Sequence, residues 1–197
     1  MSLTAAQTDR KAQTSTPIID VLAERWSPRA YDSTIAIDER ALTAALEAAR
    51  WSPSASNSQP WRFIVARRGT PKFAQIEAGL MGFNAAWAGS AGALIVAIAE
   101  SKDDEGKARP WAEYDLGQAV AHFSVQAHAD GLHVHQMGGI VVEKLRAAFD
   151  LDPRFTPMSV TAVGTLASPD VLPEATRERE VAPRSRRALD ETVIVNA

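Results

Sequence analysis

The sequence predicts a single α+β domain. Its strand-like runs are few and widely spaced, the helical stretches between them are unequal in length, and one apolar run of strand length, Ala93 to Ala99, lies near the middle of the chain. The regular strand-helix-strand alternation of a doubly wound fold is missing. A chain of 197 residues with 46% hydrophobic composition can bury about 70% of the surface its unfolded form exposes, which suffices for one substantial core. The expected organisation is a loose polar tail over residues 1–15 and one domain over residues 16–197.

Structure should begin at Thr16-Pro17, a capping residue followed by proline at the first helical position, with Ile18, Val21, Leu22 and Trp26 on one helical face. The next helix starts at Asp38, with Ile37 and Leu42 spaced as a hydrophobic staple, and must stop before Pro53. Trp61 to Ala66 alternates as a strand, Gly69 closes it, and Thr70-Pro71 starts another helix. Ala93 to Ala99 reads as an interior strand buried on both faces. Trp111 to Ala129 lacks a turn signal and is apolar on several faces, which predicts a long, mostly buried helix. Gly138-Gly139 breaks the chain before a shorter helix with Leu145 and Phe149 inward. Ser159 to Leu166 reads as a strand, Glu174 to Glu180 as a charged helix, and Thr192 to Val195 as a last short strand.

Composition excludes several function classes. With 21 Lys and Arg against 24 Asp and Glu the net charge is −3, and no basic run is long enough to follow a nucleic-acid backbone. The absence of cysteine removes disulfides, thiolate metal sites and cysteine nucleophiles. The first fifteen residues carry no apolar core of a signal peptide. The longest apolar stretch, Ala91 to Ala99, is far below the roughly 20 residues that span a bilayer as a helix. A soluble, cytoplasmic protein is the expectation.

Three polar segments carry the candidate chemistry: Arg25-Trp26-Ser27-Pro28-Arg29, Arg184-Ser185-Arg186, and the loop Pro53-Ser54-Ala55-Ser56-Asn57-Ser58-Gln59-Pro60-Trp61. Guanidinium groups suit a phosphate dianion, because the planar fork donates paired, charge-assisted hydrogen bonds. A loop of small side chains and amides suits the edge of a heterocycle. Together they read as one split site for a phosphorylated, planar cofactor such as FMN. Plainer readings stand beside this one. Arg25 and Arg29 suit a helix end, and Arg184, Arg186 and Arg187 sit among Glu178, Glu180, Asp190 and Glu191 as in an exposed ion-pair cluster. Met137 suits a core, and Trp111, Tyr114 and Trp87 suit either a core or the wall of a substrate pocket. His133 and His135 would point the same way from a strand, but with His128 and Asp130 at a helix end no convincing third ligand follows, so no metal is expected. Gly138-Gly139 lacks the Gly-Lys-Ser/Thr ending of a phosphate-binding Walker loop.

Four motifs occur in an order that resembles the FMN-dependent nitroreductases, and the resemblance runs from about Ile18 to the C-terminus. The first is met by Arg25, Ser27, Arg29, Tyr31 and Asp32, and the second by Pro53, Ser54, Asn57, Gln59, Pro60, Trp61 and Phe63. Gln136-Met137-Gly138-Gly139-Ile140 is the third, and Arg184 with Arg186 the fourth. The resemblance implies a central mixed or antiparallel sheet flanked by helices, in an intertwined homodimer with two FMN sites at the subunit interface. It implies that Arg25, Trp26, Ser27, Arg184 and Arg186 hold the phosphate end and that Arg29 and Asn84 reach the pyrimidine edge. Met137, Gly138 and Gly139 would lie against the ring. Pro53, Ser54, Ala55, Ser56 and Asn57 would come from the other subunit, and Trp111 would meet the substrate. No side chain is expected to act as a catalytic nucleophile; NADH or NADPH would pass hydride to the flavin N5, and a nitroaromatic or quinone would receive it in a ping-pong sequence. A dedicated reaction, dehalogenation or flavin fragmentation, and a non-catalytic FMN store are the alternatives. The sequence departs from the family at Trp87, where many members carry a lysine, at Gly138, where one branch has an acid, and at Ala55, where serine is frequent.

Overall fold

β2 (Ala93–Glu100) is buried along its whole length, as its unbroken apolar run demands. The computed structural model describes residues 10–195. Its sheet has the order β1-β2-β4-β3 and is antiparallel throughout, with β1 at Trp61–Arg67, β3 at His133–Met137 and β4 at Phe155–Gly164. Strand alternation sends neighbouring residues of β2 to opposite faces, so each face carries its own core. Ile95 and Ala97 pack with Trp61 under α2 (Glu39–Arg50) and α5 (Ala112–Ala129). Leu94, Val96 and Ile98 pack under α3 (Pro71–Ala78), α4 (Gly82–Ala88) and α6 (Val142–Phe149), through Phe73, Ile76, Trp87 and Leu145.

The helix starts follow their caps. Asp38 accepts hydrogen bonds from the Arg40 and Ala41 amides at 2.9 and 3.0 Å, and Thr70 accepts from the Phe73 amide at 3.3 Å with Pro71 at the first helical position. Alanines line both α2 and α5 where they face one another, Ala41, Ala45 and Ala49 against Ala112, Ala119 and Ala127. Small side chains there let the two helices approach closely.

Three expectations are corrected. The first helix, α1, spans only Asp20–Glu24 and does not begin at Thr16-Pro17. Ile18 and Ile19 are exposed and Ala23 is the one buried residue of α1, so an earlier start would bury no further face to offset its nucleation. Trp26 therefore lies beyond the helix, with the Arg10 guanidinium 4.2 Å above its ring. The strand expected from Ser159 starts at Phe155, because Pro157 sits beside a register shift between Ala97 and Ile98 where its missing N–H is tolerated. No strand forms at Thr192 to Val195; α8 covers Leu189–Thr192 and Val193 to Val195 is exposed without a paired neighbour among the described residues. β-branched residues make a strand only where an edge receives them.

Part of the expected tail is tied down. The Ala12 amide donates to the Ala23 carbonyl at 2.8 Å and Lys11 pairs with Asp20 at 2.7 Å, while residues 1–9 of the expected tail lie outside the described residues. Among the described residues no helix is long and apolar enough to cross a membrane.

Candidate cofactor and substrate site

The two arginine segments meet. Arg25 caps the end of α1, and Arg184 and Arg186 follow α7 (Glu174–Val181); all three line one cleft of about 680 Å³ that also includes Gln13, Ser15 and Ser185. None of the three pairs with a carboxylate among the described residues. Burial, and then the neighbouring Arg186, hold the Arg25 guanidinium below its usual pKa. Burial followed by Arg25, Arg186 and Arg10 do the same for Arg184. Positive charge is thus gathered without a counter-anion, the electrostatic condition that a bound phosphate relieves. The exposed ion-pair cluster considered for these arginines is not formed.

Arg184 has a second task. It donates from Nη1 to the Ala23 carbonyl at 2.9 Å and to that of Arg10, and from Nη2 to the Arg25 carbonyl at 2.9 Å. It clamps the two ends of the chain and sets the direction of Arg25. Arg186 is exposed and among the described residues bonds only the Ser185 carbonyl, at 2.7 Å, and Ser27 is exposed.

Arg29 belongs to a neighbouring cluster. Glu180, 1% exposed, accepts from the Arg29 amide at 2.9 and 3.0 Å and from the Ala30 amide at 3.1 Å, and faces the Arg29 guanidinium at 3.5 Å. The Arg29 Nε is buried without a hydrogen-bond partner. Its guanidinium lies 5.9 Å from the Phe83 ring, and the adjacent Asn84 donates to the Gly139 carbonyl at 3.1 Å. The same carbonyl accepts from the Met81 amide at 3.0 Å. A Cβ on Gly139 would stand 2.7 Å from the Asn84 amide nitrogen, whereas one on Gly138 would meet nothing within 4 Å. Glycine at 139 is needed for the contact with Asn84; at 138 it leaves open space. His135 donates from Nδ1 to the Pro28 carbonyl at 2.9 Å and its ring lies 4.7 Å from that of Trp87, pinning the arginine segment to β3.

The Met137 side chain is 2% exposed and packs in the core with Trp87 and Val160, the plainer of the readings its sequence allowed. Strand alternation turns it inward, so only the backbone beyond it can face a ring. Sequence reasoning missed Glu180. The signal was there in Thr176 and Glu180, four residues apart on the one buried face of a charged helix.

The Pro53 to Asn57 loop stands elsewhere. Ser56, Asn57 and Gln59 have φ of 52°, 53° and 47°, a left-handed conformation that costs a non-glycine residue about 1 kcal/mol or more. It is held by the buried Asp115, which accepts from the Ala55 amide at 3.1 Å, and by Ser54, which accepts from the Gln59 amide at 3.0 Å. Ser56→Gly is expected to raise stability by about 0.5–1 kcal/mol; urea denaturation that shows a loss would mean the strain is absent. The loop feeds β1 at one edge of the sheet, while Gly138 leaves β3 at the other edge. Three interstrand spacings, about 14 Å, separate those edges, so the loop and the glycine turn leave the sheet at different places in one chain. Trp111, 60% exposed at the start of α5, lies on the loop's side, 6.1 Å edge-on to Tyr114.

Among the described residues no three metal-ligating side chains gather. His133 meets His128 edge-on at 5.3 Å, and the Nδ1 atoms of both are buried without partners. Burial, then His128, push His133 down to about 4, and burial pushes His135 to about 4. The folded protein holds both imidazoles neutral while the unfolded chain protonates first as pH falls. Their contribution is therefore complete above the ordinary imidazole pKa and is lost toward pH 4, by about 1.4 kcal/mol per pH unit for each ring. His133→Asn should flatten the fall in urea midpoint between pH 6.5 and 4 by one ring's share; an unchanged slope would remove His133 from the account.

The sequence and the fold have known relatives. A solved structure described as an oxidoreductase containing FMN superposes with a TM-score of 0.85 at 34% identity, over 91% of each chain. An uncharacterized 15.4 kDa protein of Mycolicibacterium smegmatis is 37% identical over 66% of this chain and 92% of its own length. An oxygen-insensitive NAD(P)H nitroreductase of Salmonella typhimurium is 31% identical over 45% of this chain and 42% of its own. The sequence pattern of the nitroreductase family matches residues 22–165. That match takes in Arg25 to Arg29, the Ser54–Asn57 loop and the glycine turn and spans most of the sequence, so the chain belongs to the nitroreductase family.

Proposed function

We propose that the protein is an FMN-dependent oxidoreductase that takes electrons from NADH or NADPH and passes them to a planar acceptor, a nitroaromatic or a quinone, the two substrates using one pocket in turn. FMN, when bound, supplies the redox chemistry through its ring. Arg25 and Arg186 carry its phosphate, with Arg184 holding Arg25 in place. Arg29 and Asn84 face its pyrimidine edge, where the unpartnered Arg29 Nε is a free donor, and the backbone at Gly138 leaves room for the ring. The convergence of three uncompensated guanidiniums on one cleft is the observation that carries this reading.

A second copy would supply the loop. Because Ser54 to Asn57 and Gly138 leave opposite sheet edges, each site would be completed by the loop of a partner in a homodimer. The test is spectroscopic: the purified protein, incubated with FMN and gel-filtered, is expected to be a yellow dimer whose absorbance bleaches anaerobically with NADH or NADPH. Bound flavin that dithionite reduces but neither nucleotide bleaches would leave an FMN-binding protein without turnover, and failure to retain FMN would end the proposal. With bleaching secured, the oxidation rate of NAD(P)H in the presence of a nitroaromatic or quinone separates a general reductase from an enzyme with a dedicated substrate.

A further inference from the structure

A cleft of about 270 Å³ opens between the Ser56 to Ser58 loop and the segment leading into α5. Its polar and aromatic lining comprises Ser56, Ser58, Asp103, Lys107, Arg109 and Trp111. The Trp111 indole is 60% exposed, and Tyr114 supports it edge-on at 6.1 Å, which leaves a ring face free for a flat ligand.

Charge in this cleft is unbalanced. Glu100 is 3% exposed and is shared by Arg62 at 2.6 Å, Arg109 at 2.7 Å and Arg154 at 3.5 Å, so one buried carboxylate answers three guanidiniums. Arg154 has a further partner in Asp104, but Arg109 has only its share of Glu100 among the described residues. Lys107 makes no ion pair among the described residues. Asp103 is the acid that lines the cleft, and one of its oxygens is occupied in its own turn by the Glu105 and Lys107 amides at 3.1 and 2.8 Å. Lys107, with no ion pair among the described residues, and Arg109, which shares Glu100 with two other guanidiniums, stand beside an open indole and favour an anionic aromatic ligand.

Size narrows the class. At about 270 Å³ the cleft falls just below the usual range for ligand pockets, about 300–1,000 Å³, which admits one substituted ring and not a dinucleotide.

We propose that this cleft binds single-ring aromatic carboxylates, with the ring against Trp111 and the carboxylate between Arg109 and Lys107, and that it thereby selects the acceptor. The selecting role rests on the FMN-dependent reading; the binding itself does not. The probes are 4-nitrobenzoate and its uncharged counterpart 4-nitrobenzamide, measured by equilibrium dialysis against FMN-free and FMN-loaded protein. The acid is expected to bind about tenfold tighter than the amide, the size of one or two partly exposed charge-assisted bonds, and the difference should shrink with added salt. Lys107→Gln, at an exposed and unpaired position, should reduce the preference about threefold, on the order of one surface charge contact. Arg109→Gln should reduce it further. Trp111→Ala should weaken acid and amide alike. Equal affinity for the two probes, or a preference untouched in both Lys107→Gln and Arg109→Gln, would overturn the proposal. Protein that bleaches with NAD(P)H yet shows no preference for the acid loses this inference alone, whereas a preference in protein that retains no FMN leaves the cleft and removes the redox reading.

Discussion

Glu180→Ala is expected to lower the stability of the protein by about 3 kcal/mol or more, the usual cost of removing one partner from a buried ion pair. Three donors lose their acceptor together: the Arg29 amide, the Ala30 amide and, at 3.5 Å, the Arg29 guanidinium. Water reaches the site poorly, since Glu180 is 1% exposed and the Arg29 side chain 20%, so the orphaned groups bear most of their desolvation cost. For a domain of this size that loss corresponds to a fall in Tm of about 6–12 °C. Glu180→Gln keeps an acceptor oxygen for the amides but not the charge, and should fall between the two. Because Glu180 ties α7 to the segment that carries Arg29, Glu180→Ala should also weaken FMN retention in any protein that still folds. A urea midpoint unchanged in Glu180→Ala, with the slope preserved, would show that the two segments are held together by something else.

What was legible in the sequence was what one side chain or one short pattern dictates. Asp38 and Thr70 announced helix starts because a capping side chain acts on amides two or three residues away, and Ala93 to Ala99 announced a central strand because every residue in it is apolar. The four motifs announced the nitroreductase family, which the match over residues 22–165 bears out. What escaped depended on partners distant in sequence. The strand expected from Ser159 begins four residues earlier, because a register shift opposite Pro157 lets the pairing continue past it. Thr16-Pro17 is a sound helix start locally, but among the described residues nothing covers Ile18 and Ile19. Val193 to Val195 has strand-forming side chains and no described edge to join. Arg184 was legible as a cation and not as a clamp, since its acceptors are carbonyls of residues 10, 23 and 25, which no pattern of side chains encodes.

The arginine cleft separates binding from scaffolding by the sign of its mutational effects. Arg25 and Arg186 repel each other in the absence of an anion, and burial disfavours the charge on Arg25 further. Arg25→Gln and Arg186→Gln should therefore leave the FMN-free protein as stable as the wild type or slightly more so. Arg184→Gln should destabilise it, because three carbonyls lose their donor. The order reverses when a phosphate is present. Inorganic phosphate should raise the Tm of the FMN-free wild type, with a gain approaching about 2.7 kcal/mol at a hundredfold excess over Kd. Each of Arg25→Gln and Arg186→Gln should reduce FMN affinity about 10–100-fold, as expected from the loss of one charge-assisted contact worth about 1.5–3 kcal/mol. The pair of substitutions should abolish both retention of FMN and stabilisation by phosphate. If Arg25→Gln instead destabilised the FMN-free protein as strongly as Arg184→Gln does, while FMN affinity stayed within about twofold of wild type, then Arg25 would be part of the scaffold and the anion would have to be held elsewhere.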